Sequence, residues 1–108
     1  MKKPSDDLQD LGRFSEPAVL IMISLADGPR HGYAMQEDIG GLAGERPGPG
    51  TLYGAIRRLE ERGYIEALPE VERRKPYQLT DAGRNALKAE LERMRAVAGT
   101  GLRRLAVT

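Results

Sequence analysis

The sequence predicts a mainly α fold with a small antiparallel β-hairpin, and three observations predict it. Apolar residues recur at helical spacing in four separate stretches. Two short alternating runs follow the third of these, and glycine or proline stands at most of the joints. The 108 residues are 40% hydrophobic and 31% charged, a balance that suits a single domain with a modest core.

Residues 1–14 form a polar extension with scattered Leu8, Leu11 and Phe14, which either frays or adds a short helix. Ser15 offers an N-cap, with Glu16 and Pro17 in the first turn of a helix that should reach Ala26 before Asp27-Gly28-Pro29 stops it. Val19, Leu20, Ile21, Met22, Ile23 and Leu25 make it apolar almost all round. Such a helix is either the central core element or partly covered by another subunit. A second helix should start near His31-Gly32-Tyr33 and bury Met35, Ile39 and Leu42, with Gly40-Gly41 weakening its end. The connector Glu45 to Gly50 leads to a third helix with Gly48 as cap and Pro49 in its first position, running to about Arg62 and stopping at Gly63.

Tyr64 to Leu68 and Lys75 to Leu79 then read as hairpin arms around the charged loop Pro69 to Arg74, and Pro76 should confine its strand to an edge. Thr80 caps a last helix beginning Asp81-Ala82-Gly83, on which Leu87, Leu91, Met94 and Ala98 keep a 3.6-residue period. Gly99-Thr100-Gly101 is expected to interrupt it, and whether Leu102 and Leu105 continue the stripe stays open. The order helix, helix, glycine-rich turn, helix, hairpin is that of a winged helix-turn-helix. The expected organisation is an extension (1–14), the winged domain (15–80) and a C-terminal dimerisation helix with its tail (81–108).

Several function classes fit poorly. With no cysteine there is no disulfide framework or thiolate metal site, and a cytoplasmic setting is expected. The longest apolar run, Pro17 to Ala26, is short of the ~20 residues a membrane span needs, and acidic Asp6, Asp7, Asp10 and Glu16 precede it where a signal peptide would be basic. His31 is the only histidine and has no nucleophile pattern around it, so it reads as a cap or packing residue. The glycines of GLAGERPGPG lack the Lys and Ser/Thr of a phosphate loop, and no metal-ligand spacing is visible. The expectation is a protein that is not an enzyme, with no catalytic residue, metal or cofactor.

Charge points elsewhere. Residues 1–45 hold four basic against eight acidic side chains, a net of −4, which leaves +5 on the remainder. One basic face on a nearly neutral chain is what an anionic partner would feel. On the third helix Leu52, Ala55, Ile56 and Leu59 form the core stripe, and Gly50, Tyr53, Gly54, Arg57 and Glu61 lie opposite. Gly54 in an exposed helix interior costs roughly 1 kcal/mol relative to Ala, and removing a side chain lets a groove wall approach. The tip of the hairpin carries Arg73, Arg74 and Lys75 in succession, diluted by Glu70 and Glu72. Each feature alone is commonly a solvated surface; side by side they suggest a recognition helix with a wing on backbone phosphates. The candidate DNA-binding set is Gly50, Thr51, Tyr53, Gly54, Arg57, Arg58, Arg73, Arg74 and Lys75.

The segments HGYAM (His31 to Met35), PGTLYGAIRRLEERGYIE (Pro49 to Glu66) and RRKPYQLTDAGR (Arg73 to Arg84), in that order and at those separations, resemble the PadR family of bacterial transcriptional regulators. The resemblance covers about residues 15 to 90. It implies a homodimeric regulator, usually a repressor, that binds a pseudo-palindromic operator and is released by a small molecule or another signal. It further implies that Tyr53 stands at the DNA-facing start of the recognition helix, that Arg74 and Lys75 lead into the second wing strand, and that Tyr77 packs the wing. Three departures stand out: Gly48 where a serine cap is common, Pro76 where tyrosine is frequent, and a short C-terminal region. Dimerisation is also expected from the residues, since Leu87, Leu91, Met94 and Leu102 lie where the small domain has little core left to cover them; the alternative is that the stripe folds back on the first helix within one chain.

The expected partners are therefore double-stranded DNA, a second copy of the chain and a small-molecule effector of open identity, with no membrane. The rival reading is a winged-helix module that binds protein without DNA, for which Glu61, Glu70 and Glu72 speak.

Overall fold

Residues 15–107 are described by the computed structural model, so the extension expected at 1–14 lies outside them. In chain order the elements are α1 (Ser15–Ser24), β1 (Arg30–His31), α2 (Gly32–Ala43), α3 (Pro49–Glu61), β2 (Ile65–Ala67), β3 (Pro76–Leu79) and α4 (Asp81–Val107). Helix α1 is the central core element: its Ala18, Ile21 and Met22, and Leu25 just after it, are buried in one cluster with Met35 and Ile39 of α2 and the α3 stripe. Its regular bonding ends at Ser24, slightly before the expected Ala26, where Ala26 N–H turns back to the Ile23 carbonyl at 3.0 Å. Arg30 holds this turn, donating to the Ser24 carbonyl and, at 2.8 Å, to the Asp27 carboxylate. That hydrogen bond and charge hold the Asp27 carboxyl below its ordinary 3.8.

The sheet corrects the expected hairpin. It has three antiparallel strands in the order β1-β3-β2, so the strand bearing Pro76 is central and not an edge. Proline is tolerated there because it is the first residue of β3. Pro76 lies opposite His31, and its carbonyl accepts the Leu68 N–H at 2.8 Å. The ladder forgoes only the bond proline cannot donate.

Helix α2 also departs from expectation at its end. It runs through Gly40-Gly41 to Ala43 and closes on Gly44 in the left-handed conformation (φ 81°), whose N–H bonds the Gly40 carbonyl at 2.9 Å. Met35 and Ile39 are buried, but Leu42 is 54% exposed. Gly40 makes room for Arg46: a Cβ there would lie 2.7 Å from Arg46 Cγ. The same arginine pairs with Glu37 at 2.8 Å and stands 5.5 Å from the centre of the Tyr33 ring.

Helix α4 is a single 27-residue helix, so Gly99-Thr100-Gly101 does not interrupt it. Two glycines weaken a helix by about 1 kcal/mol each, and the good formers around them (Ala96, Ala98, Leu102, Arg103) carry it through in the absence of any proline. Its start matches expectation. The Thr80 hydroxyl donates to the Gly63 carbonyl at 2.6 Å and accepts the Gly83 N–H at 3.0 Å, as an N-cap should. Gly83 itself is required by close approach, since a Cβ there would collide with the Tyr64 carbonyl oxygen. No helix among the described residues is long and apolar enough to cross a membrane.

Candidate nucleic-acid interface

Helix α3 starts at Pro49 behind Gly48, whose extended backbone (φ −67°, ψ 159°) makes no side-chain cap. The first-turn N–H groups are thus not occupied by a capping side chain. Leu52, Ala55, Ile56 and Leu59 are buried as the periodicity requires, and this fixes the opposite face outward. On it Gly50, Tyr53, Arg57 and Glu61 are exposed and Gly54 is half-buried. Thr51 and Arg58 are exposed on a different flank; Thr51 lines a separate hollow beside Glu16, Pro17 and Gly48.

Tyr53 does more than face solvent. Although 47% exposed, its ring leans across the start of α2, where a Cβ on Gly32 would collide with its hydroxyl and lie 2.8 Å from Cζ. Gly32 is therefore the residue that lets the two helices share this surface.

The wing turns tightly. Val71 and Arg74 exchange two backbone hydrogen bonds of 2.9 Å each, and the residues between them, Glu72 (φ 51°) and Arg73 (φ 68°), both lie in the left-handed region. This is the geometry of a two-residue hairpin loop, built here without the Asn or Gly that usually relieves it. The turn sets Arg73, Arg74 and Lys75 on the same side as Tyr53. Together with His31, Gly32, Tyr33 and Tyr77 they line a cleft of about 400 Å³. Lys75 Nζ stands 5.8 Å from the centre of the Tyr77 ring. Burial pushes the Tyr77 phenol up, and the nearby Lys75 pulls it back in part.

The sequence-predicted set is thus divided. Tyr53 and the three wing cations converge on one cleft, Gly50, Gly54 and Arg57 continue along the exposed face of α3, and Thr51 and Arg58 stand aside. His31, Gly32 and Tyr33 belong to the cleft and were not among the predicted contacts. His31 is indeed a cap, with Nδ1 accepting the Ala34 N–H at 3.3 Å. What brings it to the wing is β1, which pairs Arg30 with Tyr77 and His31 with Pro76.

On α4 the expected dimerisation residues also divide. Leu87 is only 6% exposed and belongs to the protomer's own core, a correction to its expected place on an uncovered stripe; α4 packs against α1 and β3. Met94 and Leu102 are 43% and 68% exposed, and Val97 and Leu105 extend this apolar surface. Among the described residues no group of three or more His, Asp or Glu is placed to hold a metal ion.

A helical core, a hairpin wing and an outward third helix define a winged helix-turn-helix protein. The model of the transcriptional regulator PadR-like family matches residues 20–89, and the chain belongs to that family. A transcriptional regulator from Clostridium thermocellum superposes with a TM-score of 0.74 at 28% identity, over 87% of this chain and 93% of that one. RosR of H. salinarum gives 0.67 at 25% identity, over 94% and 100%. A PadR family regulator from Clostridium difficile, at 24% identity, shares the fold with a TM-score of 0.74 over 82% and 97%. In sequence, an uncharacterised 37.1 kDa protein in transposon TN4556 of Streptomyces fradiae is 42% identical over 87 residues. That match takes in 81% of this chain and 25% of the relative's length. The family consists of transcription regulators, not enzymes.

Proposed function

We propose that the protein is a sequence-specific DNA-binding repressor that acts in the cytoplasm as a homodimer on a pseudo-palindromic operator. The observation that carries this reading is the exposed α3 face, whose tyrosine shares a cleft with three wing cations. In this reading Gly50, Gly54, Tyr53 and Arg57 face the major groove, and Arg73, Arg74 and Lys75 meet flanking phosphates. Thr51 and Arg58, on the other flank of α3, are assigned to the adjoining backbone.

The winged domain (15–80) supplies the contacts, and α4 with the tail (81–108) supplies the dimer. Leu91, Met94, Val97, Leu102 and Leu105 are too much apolar surface for a lone helix to leave in water. In this reading an effector would act from a hollow beside α4. This hollow of about 580 Å³ is lined by Ala26, Leu79, Leu87 and Leu91 together with the charged Arg84, Lys88, Glu92 and Arg95, within the size range of small-molecule sites.

Selection of bound sequences from a random DNA pool tests the proposal. A two-fold symmetric motif with half-sites about one turn apart is expected. Recovery of no enriched motif, with capture of protein partners instead, would favour the protein-binding reading.

A further inference from the structure

We infer that His31 is a phosphate-binding residue: its Nε2–H and the Arg74 guanidinium together grip one oxygen of a DNA backbone phosphate. The inference rests on the DNA-binding reading above and starts from a conflict of donors. Nδ1 of His31 accepts the Ala34 N–H at 3.3 Å as the cap of α2. A ring nitrogen that accepts a hydrogen bond carries no proton, so the proton of the neutral imidazole sits on Nε2. Yet Nε2 lies 3.0 Å from Arg74 Nη1, and a guanidinium only donates. Two N–H groups therefore oppose each other at hydrogen-bond distance.

Reversing the tautomer moves the conflict without removing it, because Nδ1–H would then face the Ala34 N–H. The opposition is resolved by an acceptor that both groups can reach. Among the described residues that line the cleft, His31, Gly32, Tyr33, Tyr53, Tyr77 and the three wing cations, none is Asp or Glu. An oxyanion supplies what is missing, and the amide end of α2 beside His31 favours the same sign of charge. Backbone pairing of β1 with β3 holds His31 in place, and the Val71–Arg74 bridge holds the wing turn, so the two donors are positioned before the ligand arrives.

The test uses the full chain, a fluorescent 30-base-pair duplex carrying the selected motif, and anisotropy titrations at pH 8 over a range of salt. His31→Asn keeps a good helix cap and removes the distal N–H. Its thermal midpoint should match that of the parent, and its affinity should fall about tenfold or more. Because the lost donor is neutral, the dependence of affinity on salt should stay the same. Arg74→Gln should weaken binding and flatten that dependence by roughly 0.9 per phosphate lost in each protomer. The double variant should lose less than the two single losses combined, since both groups serve one oxygen.

Parental affinity in His31→Asn at an unchanged midpoint overturns the clamp and leaves the DNA reading standing; Arg74 then simply swings aside. A flattened salt dependence in His31→Asn overturns the neutral-donor assignment. If replacing chloride by 10 mM inorganic phosphate at constant ionic strength competes with DNA for the parent and not for His31→Asn, free phosphate and DNA share the His31 site, as the clamp requires; equal competition in both proteins would overturn the assignment of His31. If the parent binds no duplex at all, the DNA reading itself falls and takes the clamp with it.

Discussion

Replacing Gly83 with alanine should destabilise the fold by about 2–3 kcal/mol, and the structure shows where the loss arises. The new Cβ would collide with the Tyr64 carbonyl oxygen, lie 2.9 Å from the carbonyl carbon and 3.2 Å from Leu79 Cδ2. Relief requires α4 to move away from the backbone before β2. Thr80 sits in the same joint: its N–H donates to the Tyr64 carbonyl at 3.1 Å and its hydroxyl to the Gly63 carbonyl at 2.6 Å. Overpacking against a backbone carbonyl falls in the upper part of the usual range, about 2–3 kcal/mol, and a stretched hydrogen bond costs about 1 more, against up to ~1 regained from helix propensity. For a domain of this size the midpoint should drop by about 10–20 °C.

Urea denaturation at matched protein concentration measures the difference directly, since association contributes to apparent stability. Gly41→Ala is the control: it is helical, a Cβ there meets nothing within 4 Å, and it should gain up to ~1 kcal/mol. A Gly83→Ala protein as stable as the parent would refute the close-approach argument, and with it the explanation of why glycine stands three residues after Thr80.

Other outcomes follow from the same geometry. Glu72→Asn with Arg73→Gly should stabilise the wing turn by up to about 1 kcal/mol, read by urea denaturation, because both positions have positive φ. Arg57→Ala should cost ~1–3 kcal/mol of DNA binding and relax selectivity at one base pair if it reads a guanine edge; a uniform loss over all sequences would make it a phosphate contact. If the proposed dimer forms through α4, Leu91→Glu should convert it to monomer in light scattering while the winged domain keeps its circular dichroism spectrum. The Asp27 carboxyl, lowered by Arg30, adds stability that is complete above its ordinary 3.8 and is lost as pH falls through the lower folded-state value. Asp27→Asn should therefore flatten the small decline of the thermal midpoint below pH 4.

The exposed face of α3 was legible because one physical rule covers it. Burying Leu52, Ala55, Ile56 and Leu59 leaves Tyr53 and Arg57 on the other side of a cylinder, and three consecutive basic residues after a strand pattern mark a wing. Thr80 and Gly83 were legible as a helix start, although the reason for the glycine needed the Tyr64 carbonyl beside it. Strand β1 was not legible. Two residues carry no period, and they become a strand only by pairing with β3, far along the chain. The same long-range pairing makes the strand of Pro76 central and brings His31 to Arg74. Continuity of α4 was misjudged because local propensity counts the cost of Gly99 and Gly101 and omits the cooperativity of the turns on either side. Leu42 was misplaced for a simpler reason: α2 is short, and its last turn extends beyond the core it was expected to meet.

Under the proposed function, one helix flank and an adjoining cationic loop grip a double-stranded polyanion. Titrating the operator duplex at 50 and 200 mM salt tests it most directly. With about three phosphate contacts from each of two protomers, log affinity should fall with log salt at a slope of roughly −5. A flat response, or no binding at 50 mM salt, would contradict the account.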